Sequence, residues 1–165
     1  MKLLTSITLI IAFVVASAFT NIGNTIPSVK IKSLDGKSVD IQDYTGNGKI
    51  TVISFWATWC SPCKKELDTI SKVYLEWQEK YNIELIAVSI DDERSLKRVP
   101  KLVESKGWPY TILSDTESAL PKALKFQTVP QTFLVDQDGE IVYEHSGYTE
   151  GDELVLEEKI QGLLK

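Results

Sequence analysis

The only two cysteines of this 165-residue chain stand together in the run Trp59-Cys60-Ser61-Pro62-Cys63. Thiols three residues apart can bond to each other only where the backbone turns, and a strand running into the first turn of a helix supplies that turn. The flanks suit it. Ile50–Trp56 is a short apolar, β-branched run that reads as a buried strand. Beyond Pro62, the residues Leu67, Ile70, Tyr74 and Trp77 recur at helical spacing. Pro62 fits a first helical turn, where its missing N–H costs nothing. Cys60 is therefore expected at a helix N-terminus, where the dipole and free N–H groups favour thiolate over thiol. The pair is a candidate redox-active dithiol.

Two other uses of the pair compete with that one. Zinc takes four ligands, and there is no second cysteine pair and only one histidine, His145. A purely structural disulfide closing so short a loop would restrict little unfolded-chain entropy. No metal or other cofactor is expected.

The N-terminus bears on the compartment. Lys2, an apolar stretch over 3–15 and the small residues Ala16-Ser17-Ala18 read as a secretory leader with a cleavage site, or as an N-terminal anchor if uncleaved. Either outcome places the domain outside the cytoplasm, in a periplasm or another extracytoplasmic space. Residues 19–28 form a lead-in and 29–165 one domain. The roughly 145 residues left after cleavage can bury a core without disulfide staples, so the cysteines are free for chemistry. A net charge of −5 argues against nucleic acid or an anionic membrane surface as partner. Lys64, Lys65, Lys72 and Glu76 read as a solvated helix face, and the chain as a monomer.

Strand and helix patterns alternate along the domain. Runs at 29–32 and 38–41 read as a hairpin turning at Leu34-Asp35-Gly36-Lys37, followed by a loop at 43–49. After the Ile50–Trp56 strand comes a long helix at about 61–80, then a doubly buried parallel strand at 83–90. Residues 91–106 are helical in pattern, capped by Asp91 or Asp92 and kinked or broken at Pro100. A strand at 110–113 and a helix at 117–126 follow. Strands at 131–136 and 140–143 flank the turn Gln137-Asp138-Gly139. An amphipathic helix at 152–164 closes the chain through Leu154, Leu156, Ile160 and Leu163. His145 reads as a surface or edge-strand residue, and Gly147 as a bulge or turn.

The stretch from Phe55 through Trp59-Cys60-Ser61-Pro62-Cys63 to Lys64-Lys65-Glu66-Leu67 resembles the active-site segment of thioredoxin-fold proteins, and more narrowly the exported thiol-disulfide oxidoreductases of the TlpA/ResA-like group. A second motif, Thr128-Val129-Pro130-Gln131-Thr132-Phe133-Leu134-Val135-Asp136, is similar to the loop in which this family carries a cis-proline facing the dithiol. The resemblance covers roughly residues 26–165. It implies an α/β thioredoxin-like fold: a central mixed sheet flanked by helices, an N-terminal β-hairpin, and an inserted βα unit around 83–110.

The same resemblance distributes the roles. Cys60, exposed at the helix start, is the attacking thiolate, with a pKa below the ~8.5 of a free thiol. Cys63, one turn deeper, resolves the mixed disulfide. Trp59 covers the site or is an ordinary packed aromatic, and Pro62 shapes the turn. Pro130 in cis brings the Val129 backbone beside Cys60, where an extended partner can pair with it; a trans proline starting an edge strand is the alternative. Thioredoxins proper keep a buried acid six residues before the first cysteine; here that position is Ser54. Glu66, three residues after Cys63 on the same helical face, is the candidate replacement. A surface charge paired with a lysine is the alternative for Glu66.

The expected function is exchange with protein thiols and disulfides. The leading direction is a reductant, for example in cytochrome c maturation, itself kept reduced by a membrane electron-relay protein. A disulfide oxidase or isomerase is the alternative. A thiol peroxidase is a third reading, set against the paired cysteines.

Overall fold

The computed structural model describes residues 24–164. The expected leader and the first part of the lead-in lie outside the described residues. The chain forms β1 (Lys30–Ser33), β2 (Ser38–Asp40), β3 (Ile50–Trp56), α1 (Ser61–Tyr81), β4 (Ile83–Ser89), α2 (Glu93–Leu96) and α3 (Val99–Lys106). It continues through β5 (Thr111–Ser114), α4 (Ala119–Leu124), β6 (Gln131–Val135), β7 (Ile141–Ser146) and α5 (Asp152–Gly162). The strands make one sheet in the order β2-β1-β5-β4-β3-β6-β7. β3, β4 and β5 run parallel, and every other pairing is antiparallel. This is the mixed α/β sheet of a thioredoxin-like fold, with the N-terminal hairpin in place.

β3 and β4 show no polar alternation because both of their faces are covered. Val52, Trp56, Leu85 and Ala87 pack with Leu67, Ile70, Tyr74 and Trp77 of α1 and with Leu156 and Ile160 of α5. Ile53, Phe55, Ile86 and Val88 point the other way, onto Ile26, Ile41 and Leu120. No helix among the described residues is long and apolar enough to cross a membrane.

Some local expectations change. A 3-10 turn at Ile41–Tyr44 overlaps what reads as loop, because the Asp40 carboxylate accepts the Gln42 N–H at 3.0 Å and Ile41 is fully buried. Of the kink or break expected at Pro100, the structure shows the break: α2 ends at Leu96 and Pro100 stands in the first turn of α3, where its missing N–H is harmless. Asp92 caps α2 by accepting the Ser95 N–H at 2.8 Å, which leaves Asp91 free to turn inward. The apolar stripe of α5 is narrower than expected. Leu154 is exposed while Leu156 and Ile160 are buried, since residues two apart on a helix cannot share a face.

One consequence of the topology builds the site. β6 runs antiparallel to β3 with Phe55 opposite Gln131. The entry to β6, at Pro130, therefore lies beside the exit of β3, which leads to Cys60.

Candidate active site

Between β3 and α1 the backbone must reverse from strand to helix within a few residues, and a buried carboxylate pins it. Asp91, fully buried, accepts the Thr58 N–H at 2.8 Å and the Thr58 hydroxyl at 2.6 Å. It also accepts the Ser89 hydroxyl at 2.8 Å. Lys64 Nζ donates to the Thr58 carbonyl at 2.9 Å, so this lysine holds the loop and is not simply a solvated charge. Thr58 is thereby fixed through its amide, its side chain and its carbonyl. The next residue, Trp59, is 63% exposed, which excludes the packed-aromatic reading.

Cys60 is the N-cap of α1, and its Sγ accepts the Cys63 N–H at 3.2 Å. Capping by sulfur satisfies one of the free N–H groups of the first turn. When Cys60 is reduced, the same donor and the helix dipole stabilise its thiolate. Pro62 lies exposed in that first turn. Cys60 and Cys63 are joined by a disulfide. In this state Cys60 is only 4% exposed, against 0% for Cys63, which corrects the expectation of an exposed Cys60. The loop before β6 leans over it, bringing the Val129 carbonyl within 3.7 Å of Cys60 Sγ. The Val129–Pro130 bond is cis. Gly147, with φ +86°, donates its N–H to the Pro130 carbonyl at 2.8 Å, so it ties the proline loop to the end of β7.

Glu66 stands one turn beyond Cys63 on the inward face of α1 and is 4% exposed, which removes the surface-charge alternative. Its carboxylate accepts the Thr132 hydroxyl at 2.7 Å and the Ser54 hydroxyl at 3.0 Å. Burial pushes its pKa up to about 7, and the two hydroxyl donors and the nearby His145 oppose that rise. A carboxyl poised near neutrality can take and return a proton under ordinary conditions. Glu76, by contrast, is an exposed partner of Lys80.

His145 is not a plain edge residue. β7 is an edge strand, but His145 lies on its inward side and its Nε2 is 3.1 Å from Asp152 Oδ2.

With this geometry established, comparison with known proteins has a specific object. The family model described as "AhpC/TSA family" matches residues 22–144. The chain belongs to the AhpC/TSA family. Among similar proteins, the thiol-disulfide oxidoreductase ResA of Bacillus thuringiensis subsp. konkukian is 30% identical over 127 residues, 76% of this chain and 70% of the relative. A solution structure of an uncharacterized thioredoxin-like protein from Porphyromonas gingivalis has 40% identity and a TM-score of 0.75, covering 84% of this chain and 91% of that one. The crystal structure of StoA from Bacillus subtilis has 25% identity and a TM-score of 0.62, covering 79% and 96%. Within the AhpC/TSA family, the paired Cys60 and Cys63 and the ResA relatives make this chain a thiol-disulfide oxidoreductase of the TlpA/ResA-like group.

The fold brings together Trp59, Cys60, Pro62, Cys63, Glu66, Val129 and Pro130, the residues singled out in the sequence. It adds Asp91, Thr58, Ser54, Thr132 and the His145–Asp152 pair. Ser54 and Thr132 carried a readable signal, as polar residues inside runs otherwise built for burial. Asp91 carried none, because its position also suits a helix cap.

Proposed function

We propose that this protein is an extracytoplasmic reductant of protein disulfides, with Cys60 attacking, Cys63 resolving and Glu66 serving as the base for Cys63. The observation that carries the roles is the asymmetry of the pair. Cys60 Sγ receives a helix N–H and faces the Val129 carbonyl, while Cys63 is sealed beside a carboxyl held at about 7. Cys60 thiolate attacks a partner disulfide, expelling one partner thiolate and forming a mixed disulfide. Cys63 passes its proton to Glu66 and attacks Cys60 Sγ. The bond to the partner breaks, its sulfur leaves with the electron pair, and the Cys60–Cys63 disulfide forms.

Val129, Pro130 and Trp59 present the backbone and apolar surface on which an extended partner segment docks. The leader-like residues 1–18 support a location outside the cytoplasm. A membrane electron relay would supply the reducing equivalents, and apocytochrome c thiols in cytochrome c maturation are the substrate that the TlpA/ResA-like resemblance favours.

Trapping tests the mechanism. With Cys63→Ala, the mixed disulfide on Cys60 should persist and identify the partner by mass; recovery of none from exported or membrane fractions refutes the exchange mechanism. The reduction potential tests the direction. A value near or below about −270 mV supports a reductant, and one toward about −120 mV makes the protein an oxidase.

A further inference from the structure

The buried carboxyl of Glu66 has an outlet that the exchange chemistry above does not use. Ser54, Thr132 and His145 lie directly opposite one another across β3, β6 and β7, so their side chains share one face of the sheet. The first two donate to Glu66. The third continues the row to the edge strand, where Asp152 at the start of α5 fixes the imidazole. Asp152 is itself held, its Oδ2 accepting the Thr149 N–H at 2.6 Å. Beneath α5 a cavity of about 10 Å³, the least that holds one water, is lined by Glu66, Thr132, His145 and Asp152 and also by the apolar Ile70 and Leu156. Glu66 at its inner end is sealed, whereas the side chains of His145 and Asp152 are 34% and 28% exposed. A row of polar side chains thus leads from Glu66 toward the partly exposed His145–Asp152 pair.

We propose that His145, oriented by Asp152, is the solvent-side proton relay of Glu66. The proposal rests on the reading of Glu66 as the base for Cys63. After resolution Glu66 holds the proton taken from Cys63. That proton passes through a water in the cavity to the imidazole and from there to bulk solvent, and no electrons move in this step. With Nε2–H donating to Asp152, the other ring nitrogen is free to accept. Regeneration of the dithiol runs the same route inward. His145 is a positioning and relay residue, since it touches neither sulfur.

Other groups around the imidazole can also titrate. The Tyr143 ring stacks on it with centroids 6.3 Å apart, and Lys159 Nζ sits 5.9 Å from the Tyr143 centroid. Tyr148 and Glu153, bonded to each other at 2.9 Å, line the same cavity. Glu66 from α1 and Asp152 and Glu153 from α5 are the carboxyls that line this cavity.

The test uses the fact that His145 is the chain's only histidine, so its imidazole NMR signals follow one site without ambiguity. In the oxidised protein its titration should show a second inflection that tracks Glu66, and Glu66→Gln should abolish it. His145→Ala should slow the resolution step on the order of tenfold at low buffer, below the ~10²–10⁴ credited to a directly acting acid or base. Added imidazole should restore much of that rate. His145→Gln, which keeps a polar end toward Asp152, should be slowed alike and guards against misfolding of the alanine variant.

Identical His145 titrations in wild type and Glu66→Gln, or slowing that no buffer rescues, overturn the relay. If Glu66→Gln shifts the pH–rate profile while the His145 titration stays the same, the base role stands and only the relay falls. If Glu66→Gln leaves the profile unchanged, the premise has failed and the proposal falls with it.

Discussion

Replacing Glu66 with glutamine removes one buried ionisation and keeps a side chain of nearly the same size, still able to bond to Ser54 and Thr132. Burial holds the Glu66 carboxyl at about 7, against an ordinary value of 4.5. Between those two values the folded protein keeps a proton that the unfolded chain releases. The sign follows directly. Below 4.5 both states are protonated and the site adds no pH dependence. As pH rises toward 7 the unfolded state gains from ionising while the folded state cannot, so stability is lost. Above 7 both states are ionised and the loss is complete. At ~1.36 kcal/mol for each tenfold change in proton affinity, the loss amounts to roughly 3 kcal/mol.

Glu66→Gln carries none of this dependence. The difference in unfolding free energy between variant and wild type should therefore be level in acid, rise by roughly 3 kcal/mol in favour of the variant across the window, and be level again above it. Denaturant unfolding followed by tryptophan fluorescence, in small pH steps with the disulfide closed in both proteins, gives the two curves. Titrating groups that do not interact with Glu66 cancel from the difference, as does any pH-independent effect of the glutamine on packing. A difference that stays flat would mean that Glu66 ionises alike in folded and unfolded chains. The desolvation argument for its role as a base would then be refuted.

Other expectations follow from the same contacts. In the reduced protein, Cys60 should alkylate faster than Cys63 and with the earlier pH midpoint, because it receives the Cys63 N–H and lies at the helix start; the reverse order overturns the assigned roles. Glu66→Gln should slow resolution more than initial attack, whereas Glu76→Gln, which removes only an exposed pairing with Lys80, should leave stopped-flow exchange unchanged. Asp91→Ala strands the Thr58 N–H and the Thr58 and Ser89 hydroxyls, so thermal unfolding should show a loss of about 2–4 kcal/mol; a loss below ~0.5 kcal/mol would mean that water replaces the clamp. Thr132→Val deletes the 2.7 Å donor to Glu66, and the carboxyl carbon of Glu66 should titrate higher than in wild type by NMR. An unmoved midpoint would show that this hydroxyl does not stabilise the charge.

How much of this was legible in the sequence depends on whether the governing contact is local. The strand, turn and helix around Cys60 are written within 28 consecutive residues, 50–77, and there pattern and structure agree. Glu66 could be placed on the Cys63 face because helical spacing is also local. The failures are of another kind. Cys60 was expected to be exposed, and it is covered by a loop about 70 residues later in the chain, at Val129. Asp91 and Asp92 are equivalent as caps by pattern; only the long-range approach of Thr58 makes Asp91 the clamp. His145 alternates as an edge-strand residue should, with Glu144 and Ser146 exposed on either side. Its alternation correctly implied one inward face, but not what that face meets.

Register supplies the missing term. A slip of one residue between β6 and β7 would turn His145 outward and bring Glu144 or Ser146 to the inner face. The observed pairing of Thr132 with His145 is thus the step on which the polar row depends. It is favoured by features that are themselves visible. The Gly139 turn packs closely against Gly46, whose backbone lies 3.3 Å from where a Gly139 Cβ would stand. At the far end, Gly147 at positive φ bonds to the Pro130 carbonyl. Both ends of the β6–β7 hairpin are therefore anchored by glycines whose surroundings or backbone geometry disfavour a side chain. The same anchors that hold the cis-proline loop over Cys60 also hold His145 in line with Glu66.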